Sequence, residues 1–337
     1  MKVTQKIFLG IGLLLVTLAF IILKPNVSPS IQKVITSNTN PLSIESLRNG
    51  SYPGSDIKIE ETLTPEKTYN RYIASYMSDG FKIYTLLLVP NMEKPKSGFP
   101  VIILNHGYII PQKYTPDGNY VAYTDAFARA GYIVFKPSYR GHGKSEGAPT
   151  SAYFAPDYVI DDLNAIASIK KYKDADGERI GVWGHSMGGN ITLKDLVISK
   201  DIKAAVIWGG VVAPINDIIN NWQGRVSYKP DPLDLQLRNQ NRDFLLTNYG
   251  TPSRNQTFWN SIDPNNYLQD IIVPVQIDVG LSDSQVPPDF STGLYTRLKS
   301  LDKTVEYFEY PGSNHDINQS FSMAMGRTIS FFDKYLK

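Results

Sequence analysis

Gly184-His185-Ser186-Met187-Gly188-Gly189 decides how this chain is read. The apolar run Arg179-Ile180-Gly181-Val182-Trp183 leads into it. Residues 190–200 follow, with Ile191, Leu193, Leu196 and Val197 spaced as on one helix. A serine between two glycines at a strand-to-helix turn is a nucleophile elbow. Gly184 and Gly188 let the backbone bend sharply and approach neighbouring chain without a Cβ. The turn lifts the Ser186 hydroxyl clear of a sheet, and the first helical N–H groups face any negative charge that develops beside it.

Working outward, short apolar strands alternate with helical patterns. Residues 69–77 and 81–89 are β-rich and flank Ser78-Asp79-Gly80, a hairpin turn. Residues 101–104, 133–135, 204–208, 273–279 and 305–310 read as further strands, and 120–129, 157–171, 289–301 and 320–336 as helices. Repeated β-α-β units with short apolar strands imply a parallel sheet covered on both faces. Residues 211–271 break the rhythm, because one crossover helix would suffice there. They hold Trp222, Tyr228, Phe244, Tyr249, Phe258 and Trp259 among many polar residues. A long insertion at the carboxyl end of a strand overhangs the usual ligand crevice, so it reads as a helical cap over Ser186.

The other end of the chain has a different character. Residues 7–23 are apolar except for Gly10, Gly12 and Thr17, with Lys2 and Lys6 before them and Lys24 after. This reads as a membrane-targeting helix in residues 1–24, long enough to span with little tilt. Lys24-Pro25-Asn26-Val27-Ser28-Pro29 is a poor signal-peptidase site, which favours a retained anchor over a cleaved signal. The basic start stays inside, leaving the rest of the chain outside the cytoplasm, or secreted if the segment is cleaved. Residues 25–60 read as a polar tether, with one helical turn around Ile44 and Leu47, and 61–337 as the catalytic domain.

Composition narrows the chemistry. A net charge of +2 gives no basic field for nucleic acid. The absence of cysteine excludes disulfides, thiolate metal sites and a cysteine nucleophile. His106, His142, His185 and His315 lack paired metal-ligand spacing, so neither a metal nor a cofactor is expected.

The order of these motifs resembles the α/β-hydrolase family, and within it the catalytic domain of prolyl-oligopeptidase-like (S9-type) serine hydrolases. The likeness runs from about Tyr69 to Lys337. It rests on Asn105-His106-Gly107, Tyr139-Arg140-Gly141-His142-Gly143, the elbow, Gly280-Leu281-Ser282-Asp283 with Val286-Pro287, and Pro311-Gly312-Ser313-Asn314-His315. It implies a mostly parallel sheet of eight strands, with only the N-terminal hairpin departing from parallel, plus the cap. The peptidases usually carry a large N-terminal propeller; here a short segment precedes the hairpin.

In that frame Ser186 is the nucleophile and His315, which follows a strand and the acid in this fold's order, is its base. Asp283, in a loop just beyond a strand, orients the imidazole. Asp278 competes, but it lies inside a buried strand where charge is costly. Asp316 is read as capping a helix. The oxyanion donors are the N–H of Met187 and that of Tyr108. His106 orders the Tyr108 loop, Arg140 and His142 are structural, and His185 packs beside the elbow. Trp222 and Trp259 are assigned to substrate binding.

The leading expectation is a hydrolase of carboxylic esters acting through an acyl-enzyme on a small-molecule substrate. A peptidase using the same residues on short peptides is the nearest alternative. Less favoured are an acyltransferase and an inactive, membrane-tethered binding module.

Overall fold

The computed structural model describes residues 40–337 except 223, 224 and 228. The apolar stretch at 7–23, the first part of the tether and Tyr228 lie outside the described residues.

One sheet organises the molecule. Its strands are β1 Lys58–Leu63, β2 Tyr69–Ser78, β3 Phe81–Pro90, β4 Phe99–Asn105, β5 Ile133–Pro137, β6 Ala175–His185, β7 Ile202–Trp208, β8 Val275–Gly280 and β9 Val305–Tyr310. Their spatial order is β1-β2-β3-β5-β4-β6-β7-β8-β9. Pairings from β5 through β9 are parallel, whereas β1–β2, β2–β3 and β3–β5 are antiparallel. The sheet has nine strands, one more than the motifs imply. The extra one, β1, has the sequence KIEETL and is mostly exposed. Charged residues on an edge strand discourage pairing with other chains, and they also hide the strand from an apolar pattern.

The central strands alternate between two cores, as the two-residue period of a strand demands. Val101, Ile103, Ile180 and Val182 bury into one face. Ile102, Leu104 and Trp183 bury into the other with Phe127, Trp208 and Phe332. Helices α3 (Asp157–Ile169), α4 (Met187–Ile198) and α8 (Pro288–Ser300) cover the first face, and α2 (Val121–Arg129) and α9 (Phe321–Leu336) the second.

Residues 42–60, read from composition as the end of a tether, pack against this body. Helix α1 (Ile44–Arg48) buries Ile44 and Leu47. The Ser43 side chain accepts from the Ser46 N–H and caps α1, worth about 1 kcal/mol. Arg48 pairs with Asp270 at 2.7 Å, and the Asn40 amide donates to Ser261 at 2.9 Å. Both partners lie in the insertion. That insertion folds as α5 (Ile215–Asn220), α6 (Pro232–Tyr249), α7 (Gln256–Ile262) and a 3-10 turn, Pro264–Asp270. Among the described residues, no helix is long and apolar enough to cross a membrane.

Candidate active site

Strand β6 ends at His185 and α4 begins at Met187, so Ser186 alone makes the turn. Its φ is 55° and ψ −118°, a conformation that costs an ordinary residue about 1–3 kcal/mol. Neighbouring chain over-determines it. The Ser186 N–H donates to the Trp208 carbonyl at 3.1 Å, and its own carbonyl accepts from Gly189 and Val211. The glycines are obligatory: a Cβ at Gly188 would lie 1.9 Å from the Asn105 carbonyl oxygen, and one at Gly184 2.3 Å from Thr192 Oγ1. As the first residue of α4, Met187 has an N–H without an intrahelical acceptor.

Ser186 and His315 line one cavity of about 370 Å³. His315 follows β9, is 4% exposed, and its Nδ1 lies 2.7 Å from Asp283 Oδ2. The other Asp283 oxygen accepts the N–H groups of Gln285 at 2.8 Å and Val286 at 2.9 Å. A carboxylate filled in this way makes Nδ1 the donor and leaves Nε2 bare. Asp278 is elsewhere. Fully buried in β8, it accepts from Tyr310 Oη and Gln276 Nε2, both at 2.6 Å, and burial pushes its carboxyl up to about 7. Asp316 caps no helix, contrary to its reading from sequence; it lines the cavity 3.7 Å from His185 Nε2.

Tyr108 lines the cavity, and its hydroxyl donates to Asp231 at 3.3 Å. The N–H of Gly107 is committed: it donates to Tyr120 Oη at 2.8 Å. Tyr120 Oη lies 2.6 Å from His185 Nδ1, and His185 Nε2 lies 3.2 Å from the His315 carbonyl. A carbonyl only accepts, so Nε2 carries the proton and Nδ1 accepts from Tyr120. Burial holds His185 well below the usual histidine range, with the nearby His315 adding to the effect, which keeps the ring neutral as this pattern needs. Tyr120 reaches this position from a left-handed conformation, φ 61°, at the start of α2. His106 Nδ1 donates to the Gly107 carbonyl at 2.7 Å between the rings of Tyr114 and Tyr139. Arg140 pairs with Asp157 at 3.1 Å and Asp161 at 2.7 Å, and His142 is buried beside Tyr158.

The two tryptophans part company. Trp222 lines the cavity, its Nε1 donating to the Gln285 carbonyl at 2.8 Å. Trp259 does not reach it. It is 1% exposed, donates to the Gly250 carbonyl and packs edge-on against Phe258. Helix α7 turns Phe258, Trp259 and Ile262 inward together, so Trp259 belongs to the core on the first face of the sheet rather than to the cavity wall. The sequence reading missed Tyr120, Tyr153, Asp234 and Arg238, which also line the cavity. Asp234 and Arg238 stand four apart on α6, a spacing that places both on one face. No local pattern marks Tyr153.

A family model described as serine aminopeptidase, S33, matches residues 100–249. An uncharacterized peptidase of Bacillus subtilis, YtmA, is 25% identical over 256 residues, covering 75% of this chain and 88% of that protein. The chain has the α/β-hydrolase fold. It is a serine hydrolase, and its solved neighbours include both peptidases and esterases. The acetyl xylan esterase of Paenibacillus sp. R4 superposes with a TM-score of 0.65 at 18% identity, over 93% of this hydrolase and 96% of that chain. The Pyrococcus horikoshii acylaminoacyl peptidase superposes with a TM-score of 0.64 at 22% identity, over 80% of this hydrolase and 42% of that peptidase. This hydrolase therefore spans less than half the length of that peptidase.

Proposed function

We propose that the protein hydrolyses small carboxylic esters through an acyl-enzyme on Ser186. The observation that carries this reading is the Asp283–His315 pair at 2.7 Å, opening into the cavity that Ser186 also lines. His315 Nε2 takes the Ser186 proton as Oγ attacks the ester carbonyl. The resulting oxyanion is held by the N–H groups of Met187 and Tyr108. Its collapse expels the alcohol, which takes the proton from His315, and water then releases the acid by the same route in reverse. Asp283 stabilises the imidazolium throughout. A cavity of about 370 Å³ roofed by the insertion suits a compact acyl group. The peptidase reading stays as the second, supported by the family model at residues 100–249 and by the B. subtilis relative. The test is hydrolysis of 4-nitrophenyl acetate against hydrolysis of aminoacyl 4-nitroanilides, each compared with Ser186→Ala. Ser186-dependent turnover of the anilides at rates matching the ester would overturn the assignment in favour of a peptidase.

The apolar residues 7–23 support a retained membrane anchor that leaves the hydrolase outside the cytoplasm, bound to the membrane at its N-terminus. Alkaline extraction of membranes from cells making the full chain tests this. Release into the supernatant, or a mature N-terminus beyond Lys24, would refute the anchor.

A further inference from the structure

The insertion brings a buried charge pair to the catalytic cavity. Arg238 is 6% exposed, and its guanidinium lies 4.5 Å over the Trp222 ring. Its ion-pair partner is Asp234 at 3.2 Å, on the same face of α6. Among the described residues, no acceptor meets the buried Arg238 Nε–H. Both side chains line the cavity that holds Ser186. A buried donor without an acceptor is costly in the free protein, and a ligand that supplies one recovers that cost. Asp234 is largely shielded from water as well. Burial pushes its carboxyl up to about 6, Arg238 opposing and Asp231 adding to the rise. A donor brought beside this shielded carboxylate offsets part of its lost hydration.

The pair is already close to charge balance. A free carboxylate brought to Arg238 would stand beside Asp234, and an amine brought to Asp234 would stand beside Arg238. Beside a buried ion pair, either like-charge contact is expensive. An uncharged group with an acceptor and a donor side by side satisfies both residues at once. The backing is rigid: Trp222 is pinned through Nε1 to Gln285, and Tyr153 packs edge-on against it at 5.4 Å. We propose that Asp234 and Arg238 form a specificity subsite for an uncharged hydrogen-bonding group of the substrate, an amide or a vicinal diol. The proposal rests on the ester-hydrolase reading and names the kind of ester taken.

Matched 4-nitrophenyl esters test it. Each carries a terminal acetamide, vicinal diol, carboxylate, ammonium or methyl group on short, medium or long spacers. At one spacer length the acetamide or the diol ester should exceed its methyl match in kcat/KM by at least about tenfold. Which of the two leads identifies the natural chemistry. In Arg238→Met that ratio should collapse toward unity, and in Asp234→Asn, which keeps an acceptor, it should fall only in part. Equal rates for neutral polar and methyl esters at every length would overturn the proposal, as would a leading carboxylate or ammonium ester. Binding of the matching methyl ketones to Ser186→Ala, followed by tryptophan fluorescence, should give the same ranking without turnover. The subsite is thus judged even if no ester is cleaved, and the two readings fail separately. The comparison within the native protein needs no folded variant.

Discussion

Tyr120 Oη lies 2.6 Å from His185 Nδ1 and accepts the Gly107 N–H at 2.8 Å. One hydroxyl thereby ties the loop bearing Tyr108 to the residue before Ser186, and His185 continues the chain to the His315 backbone. Tyr120→Phe removes both bonds with little change of volume. It leaves the Gly107 N–H and His185 Nδ1 unpaired, at a cost of about 1–3 kcal/mol. The expected result is a kcat about 10- to 100-fold lower with KM nearly unchanged, because the oxyanion donor loses its position rather than the substrate its pocket. A rise in KM at constant kcat would assign Tyr120 to substrate binding instead.

Ser186→Ala and His315→Ala should each lower turnover by several orders of magnitude, and the double variant should be little worse, since the residues act as a unit. Asp283→Asn should be nearly as severe, because the amide no longer fixes the tautomer that leaves Nε2 bare. Asp278→Asn, at a side chain that bonds Tyr310 and Gln276 rather than His315, should keep turnover within about tenfold of the native protein. A greater loss in Asp278→Asn than in Asp283→Asn would exchange the roles of the two acids.

Asp278 also sets a pH dependence of stability. Its carboxyl is raised from 3.8 to about 7 by burial, so between those values the folded state binds more proton than the unfolded state. Its contribution to stability is complete below about pH 4 and is lost as pH rises through about 7. Asparagine mimics the protonated form and does not titrate. Urea unfolding of both proteins should show Asp278→Asn gaining on the native protein by about 2 kcal/mol or more between pH 4.5 and 8. A pH-independent difference would mean that Asp278 titrates alike in both states.

The two tryptophans of the insertion should answer differently. Trp222→Ala opens the cavity wall and should change the ranking of large against small esters, by an amount matching about 1–3 kcal/mol of lost apolar contact. Trp259→Ala should leave that ranking in place and destabilise the fold by about 3–5 kcal/mol, the cost of a large cavity in a closed core. Thermal unfolding and a short ester series run on both variants check this; a changed ranking in Trp259→Ala would place its ring at the substrate.

The sequence by itself determined the elbow and the loops that carry Asp283 and His315. Gly184 and Gly188 were legible as the flanks of a strand-to-helix turn, and the fold gives their reason, since any side chain there would meet Thr192 or the Asn105 carbonyl. The loops bearing Asp283 and His315 were legible because the first follows a buried strand and the second a strand rich in Val, Tyr and Phe. The strand-helix alternation was legible for the same reason: hydrophobic period is a local property. Only the tertiary structure decided what faces the cavity. Trp222 and Trp259 look alike in sequence, yet the docking of their segments buries Trp259 in the core and turns Trp222 toward the cavity that holds Ser186. Tyr120 meets His185 65 residues further along the chain. Tyr153, Asp234 and Arg238 reach the same space from separate elements. Such meetings depend on how each helix is rotated and where it docks, and those are fixed by packing across the whole core rather than by the residues on either side.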